Sequence, residues 1–134
     1  MPLKLEIVTP EAKVYSEDVD MVTLPGVDGE LGIYPGHVPL LTQVHAGELA
    51  VRRGAELLHL AVGEGFVEVS GKRVAVMTDM AIKAEDIDEA QVEQAKKRAE
   101  ARLQEKLGGE EQATVQAALL HSLTQLNVKR RRQR

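Results

Sequence analysis

The segment Leu24-Pro-Gly-Val-Asp-Gly-Glu-Leu-Gly-Ile-Tyr-Pro-Gly-His-Val-Pro-Leu-Leu41 holds four of the chain's eleven glycines and three of its five prolines. Glycine-dense loops are where many proteins cradle phosphates, so that chemistry is the first to test. A nucleotide loop of the Walker type needs Gly-Lys-Ser/Thr opening a helix, but no lysine lies between Lys13 and Lys72 and the prolines prevent a helix from starting. A dinucleotide fingerprint fails as well, because no helical period follows the glycines. The glycines are therefore expected to shape turns in a β domain, presenting Asp28, Glu30 and His37 to a partner.

Other reactive residue types lack the spacing that chemistry requires. His37, His45, His59 and His121 show no His-x-x-x-His pattern, so metal binding is not expected. Ser16, Ser70 and Ser122 have no nucleophile-elbow context. The carboxylate pairs Asp18/Asp20 and Asp86/Asp88 fall on turns and at a helix start, where solvation or capping accounts for them. With no cysteine, disulfides, thiolate metal sites and cysteine nucleophiles are excluded. The chain reads as a non-enzyme.

A chain of 134 residues, 43% apolar, can build one ordinary domain or two small ones. Aromatics make up only 2%, so Val, Leu, Ile, Met and Ala must pack the core. Residues 1–15 have no apolar run of signal length and nothing approaches a membrane span, so the chain is expected to begin at Met1 and stay in the cytoplasm or on the cytoplasmic side of a membrane. The charge of −4 is uneven: Lys129 to Arg134 alone carries five cations. Such a tail suits an acidic protein patch or lipid surface; nucleic acid is disfavoured, since no basic stripe or stacking aromatics accompany it.

The elements that must position these residues divide at Lys83. Before it, alternation predicts strands at Leu3–Val8, Val19–Leu24, Leu31–Tyr34, Val38–Val44, Glu48–Arg52, Glu56–Val62, Gly65–Val69 and Arg73–Thr78. In the second of these, Val19, Met21 and Thr23 share one face. Turns are expected at Thr9-Pro10, Ser16-Glu17-Asp18, Ala46-Gly47, Arg53-Gly54, Gly63-Glu64-Gly65 and Ser70-Gly71-Lys72. After Lys83 a helix is predicted over Ile87–Leu107, capped by Asp86 with Glu89 completing a capping box and stopped by Gly108-Gly109. Its apolar stripe is Val92, Ala95, Ala99, Leu103 and Leu107. A second helix over Glu110–Val128 carries Val115, Leu119, Leu123 and Leu126. The expected fold is α+β: an antiparallel β-sandwich or flattened barrel of about ten strands over residues 1–84, then an antiparallel two-helix hairpin with a basic tail over residues 85–134. Two such helices bury little surface alone, so the hairpin is expected to be able to leave its docking site.

The Leu24–Leu41 run closely resembles the signature of the epsilon subunit of bacterial F-type ATP synthase, and the likeness extends over the chain. Leu5-Glu-Ile-Val-Thr-Pro10 resembles that family's first strand, Gly63–Val69 a later one, Thr78-Asp-Met-Ala81 the end of its β domain, and Glu85-Asp-Ile-Asp-Glu-Ala90 the start of its hairpin. The resemblance implies a ten-stranded sandwich followed by two antiparallel helices. It implies a central-stalk subunit whose β domain binds the gamma subunit and rests on the c-ring, coupling ion flow to rotation and ATP synthesis. Glu30, Ile33 and His37 match the turn facing the c-ring loops. The hairpin corresponds to a regulatory part that lies folded on the sandwich or extends along gamma into the head of alpha and beta subunits, where it blocks ATP hydrolysis. Lys129, Arg130, Arg131, Arg132 and Arg134 would then latch onto acidic segments of the beta subunits.

Some relatives bind ATP on the folded hairpin through Ile/Leu-Asp-x-x-Arg-Ala. The matching run here is Ile87-Asp88-Glu89-Ala90-Gln91-Val92, with glutamine and valine in place of arginine and alanine. Arg98 and Arg102 are kept, but His121 and Gln125 stand where ATP-binding relatives have arginines. Loss of guanidinium donors weakens nucleotide contacts, so weak ATP binding or none is expected and no other cofactor is implied. Two other classes of function compete: a free ATP sensor working through the hairpin, and a carbohydrate- or nucleic-acid-binding β module, which the dearth of aromatics disfavours.

Overall fold

The structure is a computed structural model, and it describes residues 3–132. Among these, ten strands form one sheet: β1 (Leu3–Val8), β2 (Lys13–Val19), β3 (Met21–Gly26), β4 (Gly29–Ile33), β5 (Leu40–Val44), β6 (Gly47–Arg53), β7 (Glu56–Val62), β8 (Gly65–Ser70), β9 (Arg73–Thr78) and β10 (Ala81–Lys83). The order is β10-β7-β6-β3-β5-β8-β9-β1-β2, with β4 paired to β3. The sheet wraps nearly onto itself and encloses an aliphatic core. Alternate residues point inward, as in β1, where Leu3, Leu5 and Ile7 are fully buried. Leu24, Ile33, Leu49, Leu60, Val67, Val74 and Val76 complete the same interior.

Several local expectations give way to this closure. Ser16, Glu17 and Asp18 are not a turn but lie inside β2, paired with Glu6, Leu5 and Lys4. Three polar residues are tolerated there because β2 is an edge strand bonded on one side only. Val19 ends β2 and a bend at Asp20 separates it from β3, so the buried face of β3 is Val22 and Leu24, not Met21 and Thr23. The sandwich is not wholly antiparallel, since β1 runs parallel to β9, from Lys4 beside Arg73 to Val8 beside Met77. Much of the Gly-Pro stretch is strand: β3 and β4 form a tight hairpin pairing Gly26 with Gly29. The irregular loop is confined to Tyr34–Pro39, where Gly36 takes φ 87°.

Beyond β10, Ala84–Asp86 forms a single 3-10 turn, followed by α1 (Glu89–Leu103) and α2 (Gly109–Arg132). The cap of α1 is Asp88, not Asp86: its side chain accepts a hydrogen bond from the Gln91 amide at 3.2 Å. Ile87 stays extended because that directs its side chain into a small core with Ala61, Ala84 and Val128. The helix closes at Leu103 instead of Leu107, and Gln104 and Glu105 donate to Ala101 and Arg102 as the chain tightens and leaves. Gly108 and Gly109 start α2, the Gly108 carbonyl accepting its first helical bond from Gln112 at 2.8 Å.

Helix α1 packs on α2, and α2 in turn packs on β6, β7 and the 3-10 turn. The second helix therefore has two buried faces in its last turns. At 100° per residue, Ser122 and Leu126 share one, while His121, Thr124, Val128 and Arg132 share the other. The expected stripe counted only the first, and its Leu123 is 38% exposed. Replacing the fully buried Leu60 by Ala is expected to cost about 2–5 kcal/mol in urea unfolding of the full chain, while Leu123→Ala stays within about 1 kcal/mol.

Candidate partner-binding surfaces

The Tyr34–Pro39 loop and the adjoining β4 place the first set of site residues. Glu30 is exposed, opposite Pro25 in the β3–β4 ladder. His37 is partly covered, with Nδ1 2.7 Å from the Val38 carbonyl and its amide bonded to the Tyr34 carbonyl at 3.2 Å, so the ring is fixed by its own loop. Ile33, in contrast, is fully buried and pairs with Val22. It supports the loop from the core and cannot present its side chain to a partner from there. Tyr34 and Val38, which sequence inspection passed over, are the exposed apolar groups of this loop at 62% and 71%.

A second surface lies on the outside of β5, β8 and β9. Strand alternation turns Phe66 outward beside Met77 on one side and Gln43 on the other. Leu41 stands one outward position along β5, and Val8 of β1 is opposite Met77. Leu41, Phe66 and Met77 are 66%, 49% and 44% exposed, a run of apolar side chains that a free surface has little reason to carry. A 270 Å³ cavity lined by Gln43, Val44, His45, Glu64, Gly65 and Phe66 adjoins it. The signal was present in the sequence, because the chain's one phenylalanine sits out of phase with the inward Val67 and Val69.

The hairpin residues separate into different environments. A groove of about 440 Å³ between α1 and α2 is lined by Gln91, Val92, Gln94, Ala95, Arg98, Ser122 and Gln125, so Arg98 is its one cationic wall. Arg102 lies farther along, engaged with Glu105 at 3.0 Å and Glu111 at 3.9 Å. Ile87 is buried and Asp88 is committed to capping α1. Arg98 and Arg102 share the wall of an adjoining cavity of about 620 Å³ lined mainly by Ala95, Ala99, Val115 and Ala118, but Ile87 and Asp88 do not reach it, so the four residues do not converge on one site.

The basic run is not a loose tail through Arg132 but the last turn of α2, where cations meet the negative helix end. Lys129 Nζ donates to the Ala84 carbonyl at 3.1 Å. Arg130 donates to Glu89 at 2.7 Å and to Glu93 at 2.9 Å, tying α2 to α1. Arg132 meets Glu48 at 3.0 Å, with Arg131 4.0 Å from the same carboxylate. Arg134 lies outside the described residues. Burial works against ionisation of Glu93, yet the Arg130 hydrogen bond and the charges of Lys96, Arg130 and Lys97 outweigh it and hold the carboxyl below its usual value.

These features define a class: a nearly closed β-sandwich with an uncovered apolar outer face, carrying a helical hairpin held to it by a small apolar cluster and by side-chain polar contacts. Residues 2–84 match the family described as ATP synthase, Delta/Epsilon chain, beta-sandwich domain, and residues 85–130 match ATP synthase, Delta/Epsilon chain, long alpha-helix domain. The chain belongs to the ATP synthase delta/epsilon family. It is 45% identical over 133 residues to an ATP synthase epsilon chain of Dehalococcoides mccartyi, covering 98% of this chain and 95% of that one. It is 44% identical over 127 residues to ATP synthase epsilon chain 2 of Syntrophotalea carbinolica, covering 94% and 92%. Among solved structures, a chain in the Euglena gracilis mitochondrial ATP synthase (OSCP/F1/c-ring) shares the fold, with TM-score 0.66 and 22% identity over 96% of this chain and 78% of that one. Among the described residues no helix is long and apolar enough to cross a membrane.

Because its folded-state value is depressed, Glu93 contributes hairpin stability that is present above the ordinary carboxylate range and is lost as pH falls through the lowered value. In Arg130→Gln the Glu93 carboxyl is expected to titrate at higher pH than in the parent, read from its side-chain carbon shift by NMR. An unchanged titration would show that Arg130 does not hold it.

Proposed function

We propose that this chain is a non-catalytic central-stalk subunit of an ion-translocating F-type ATP synthase, acting at the cytoplasmic face of the cell membrane without entering it. The observation that carries this is family membership over both structural parts, together with an apolar outer face that stays bare on the isolated chain. That face suits a permanent protein partner, and the gamma subunit is the one assigned to it. The Tyr34–Pro39 loop with Glu30 and His37 is assigned to the polar loops of the c-ring, where a fixed carboxylate and imidazole can meet basic or amide groups. The hairpin is assigned the role of a brake on ATP hydrolysis, its Lys129–Arg132 turn meeting acidic segments of the beta subunits once extended along gamma. ATP is proposed to bind the folded hairpin weakly or not at all, because of the two arginines between the helices Arg102 is already paired with Glu105 and Glu111, which leaves Arg98 little support in holding a triphosphate. Calorimetric titration of the full chain should accordingly show no saturable heat below millimolar ATP.

The test is reconstitution with alpha, beta and gamma subunits. Phe66→Glu is expected to reduce recovery of gamma at least tenfold, since it puts a charge into an apolar contact. A version ending at Ala84 is expected to keep gamma but raise ATP hydrolysis several-fold over the full chain. Equal rates would remove the brake, and unchanged recovery with Phe66→Glu would move the gamma contact off this face.

A further inference from the structure

Of the four cations in the last turn of α2, only two reach across to the strands. Arg130 is bound to Glu89 and Glu93 of α1, so that contact travels with the hairpin. Lys129 bonds the Ala84 carbonyl in the turn at the hairpin's root. Of the four, Arg131 and Arg132 are the ones that meet a charged side chain on the outer face of β6 and β7. There Glu48 lies opposite Ala61, with His59 the next outward residue along β7. Glu48 is 13% exposed and His59 16%, low values for a carboxylate and an imidazole on the outside of a sheet. The outward residues of β7 show what covers them. Ala61 is fully buried against Val128, His59 lies under Arg132, and Leu57, the next outward residue, is 52% exposed.

The polar atoms at this spot match one another. Glu48 Oε1 is 3.2 Å from His59 Nδ1 and 3.0 Å from an Arg132 guanidinium nitrogen. His59 Nε2 is 3.3 Å from the other guanidinium nitrogen. This geometry fits an imidazole protonated on Nδ1, donating to the carboxylate and accepting from Arg132. Glu48 Oε2 is buried and has no hydrogen bond, with Arg131 4.0 Å away. A carboxylate so placed is costly unless a cation meets it.

We propose that Glu48 and His59 form a guanidinium-binding site on the sandwich, occupied by the Arg131–Arg132 end of α2, and that this contact sets how often the hairpin leaves. The sandwich thereby competes for the same guanidinium groups that a braking hairpin would offer to an acidic partner. The regulatory consequence rests on the brake described under Proposed function, but the site itself does not. The second tie along α2, His121 to Asp79 at 3.1 Å, is more exposed and holds the middle of the helix. It is accommodated because Gly63 lacks a side chain, a Cβ there colliding with the Asp79 carboxylate.

The absence of cysteine permits a direct test on the full chain. Val128→Cys places a single thiol in the buried contact with Ala61, and its labelling rate with an aromatic disulfide reagent reads the opening equilibrium. In that background Glu48→Gln and Arg132→Gln are each expected to raise the rate about tenfold. The double variant should exceed the larger single by no more than about twofold, because both remove one interaction. Glu17→Gln, which removes a charge paired to Arg53 on another part of the sheet, should leave the rate unchanged. Singles within twofold of the parent, a double equal to the product of the singles, or an equal response to Glu17→Gln would each overturn the site. Arg132 lies on the hairpin, outside the sandwich core, so its arm decides should Glu48→Gln fold poorly. If both singles open the hairpin while truncation at Ala84 leaves hydrolysis unchanged, the site stands and the brake falls.

Discussion

A core made almost wholly of Val, Leu and Ile must be sealed on every side, and that requirement governs the architecture. With Tyr15 the one aromatic side chain in the main core, no single residue fills much of the interior. Enclosure has to come from strands wrapping around it. The parallel seat of β1 between β9 and β2 contributes Leu3, Leu5 and Ile7, all at zero exposure, to that enclosure. A polar edge strand such as β2 follows: once the interior is full, the last strand needs only one apolar face.

A sealed interior leaves function to the outside. The hairpin covers β6 and β7, while the apolar run of Leu41, Phe66 and Met77 lies on β5, β8 and β9, with β3 between the two groups in the sheet order. A partner on the second surface need not displace the hairpin from the first. The two surfaces also differ in chemistry. The bare one is apolar and suits a lasting contact, whereas the covered one mixes Ala61 and Val128 with Glu48, His59 and Asp79. The polar contacts of the second kind are weakened by salt, whereas the apolar ones are not.

Much of this was legible before any coordinates, and the failures have physical causes. Short apolar or alternating runs bounded by turn residues located Leu3–Val8, Glu56–Val62 and Arg73–Thr78 to the residue. Ser16–Asp18 was misread as a turn because local polarity does not distinguish a loop from an edge strand that needs one buried face. Capping moved from Asp86 to Asp88 because both offer the same side chain, and only the burial of Ile87 decides between them. Ile33 was assigned to a surface by motif, yet its place opposite Val22 sends it inward. The exposed row at Phe66 could have been found by asking which apolar residues fall on the wrong phase of a strand.

The second face of α2 was invisible for a different reason. His121, Thr124, Val128 and Arg132 follow steps of three and four, as good a helical stripe as the apolar one. Hydrophobic periodicity passes over it because three of its four members are polar. A helix that docks permanently would do better with leucines there, and a helix that never docks would have no use for the spacing. Polar residues at core spacing leave a face that water can also solvate, and that property is what the two-state hairpin proposed above would require.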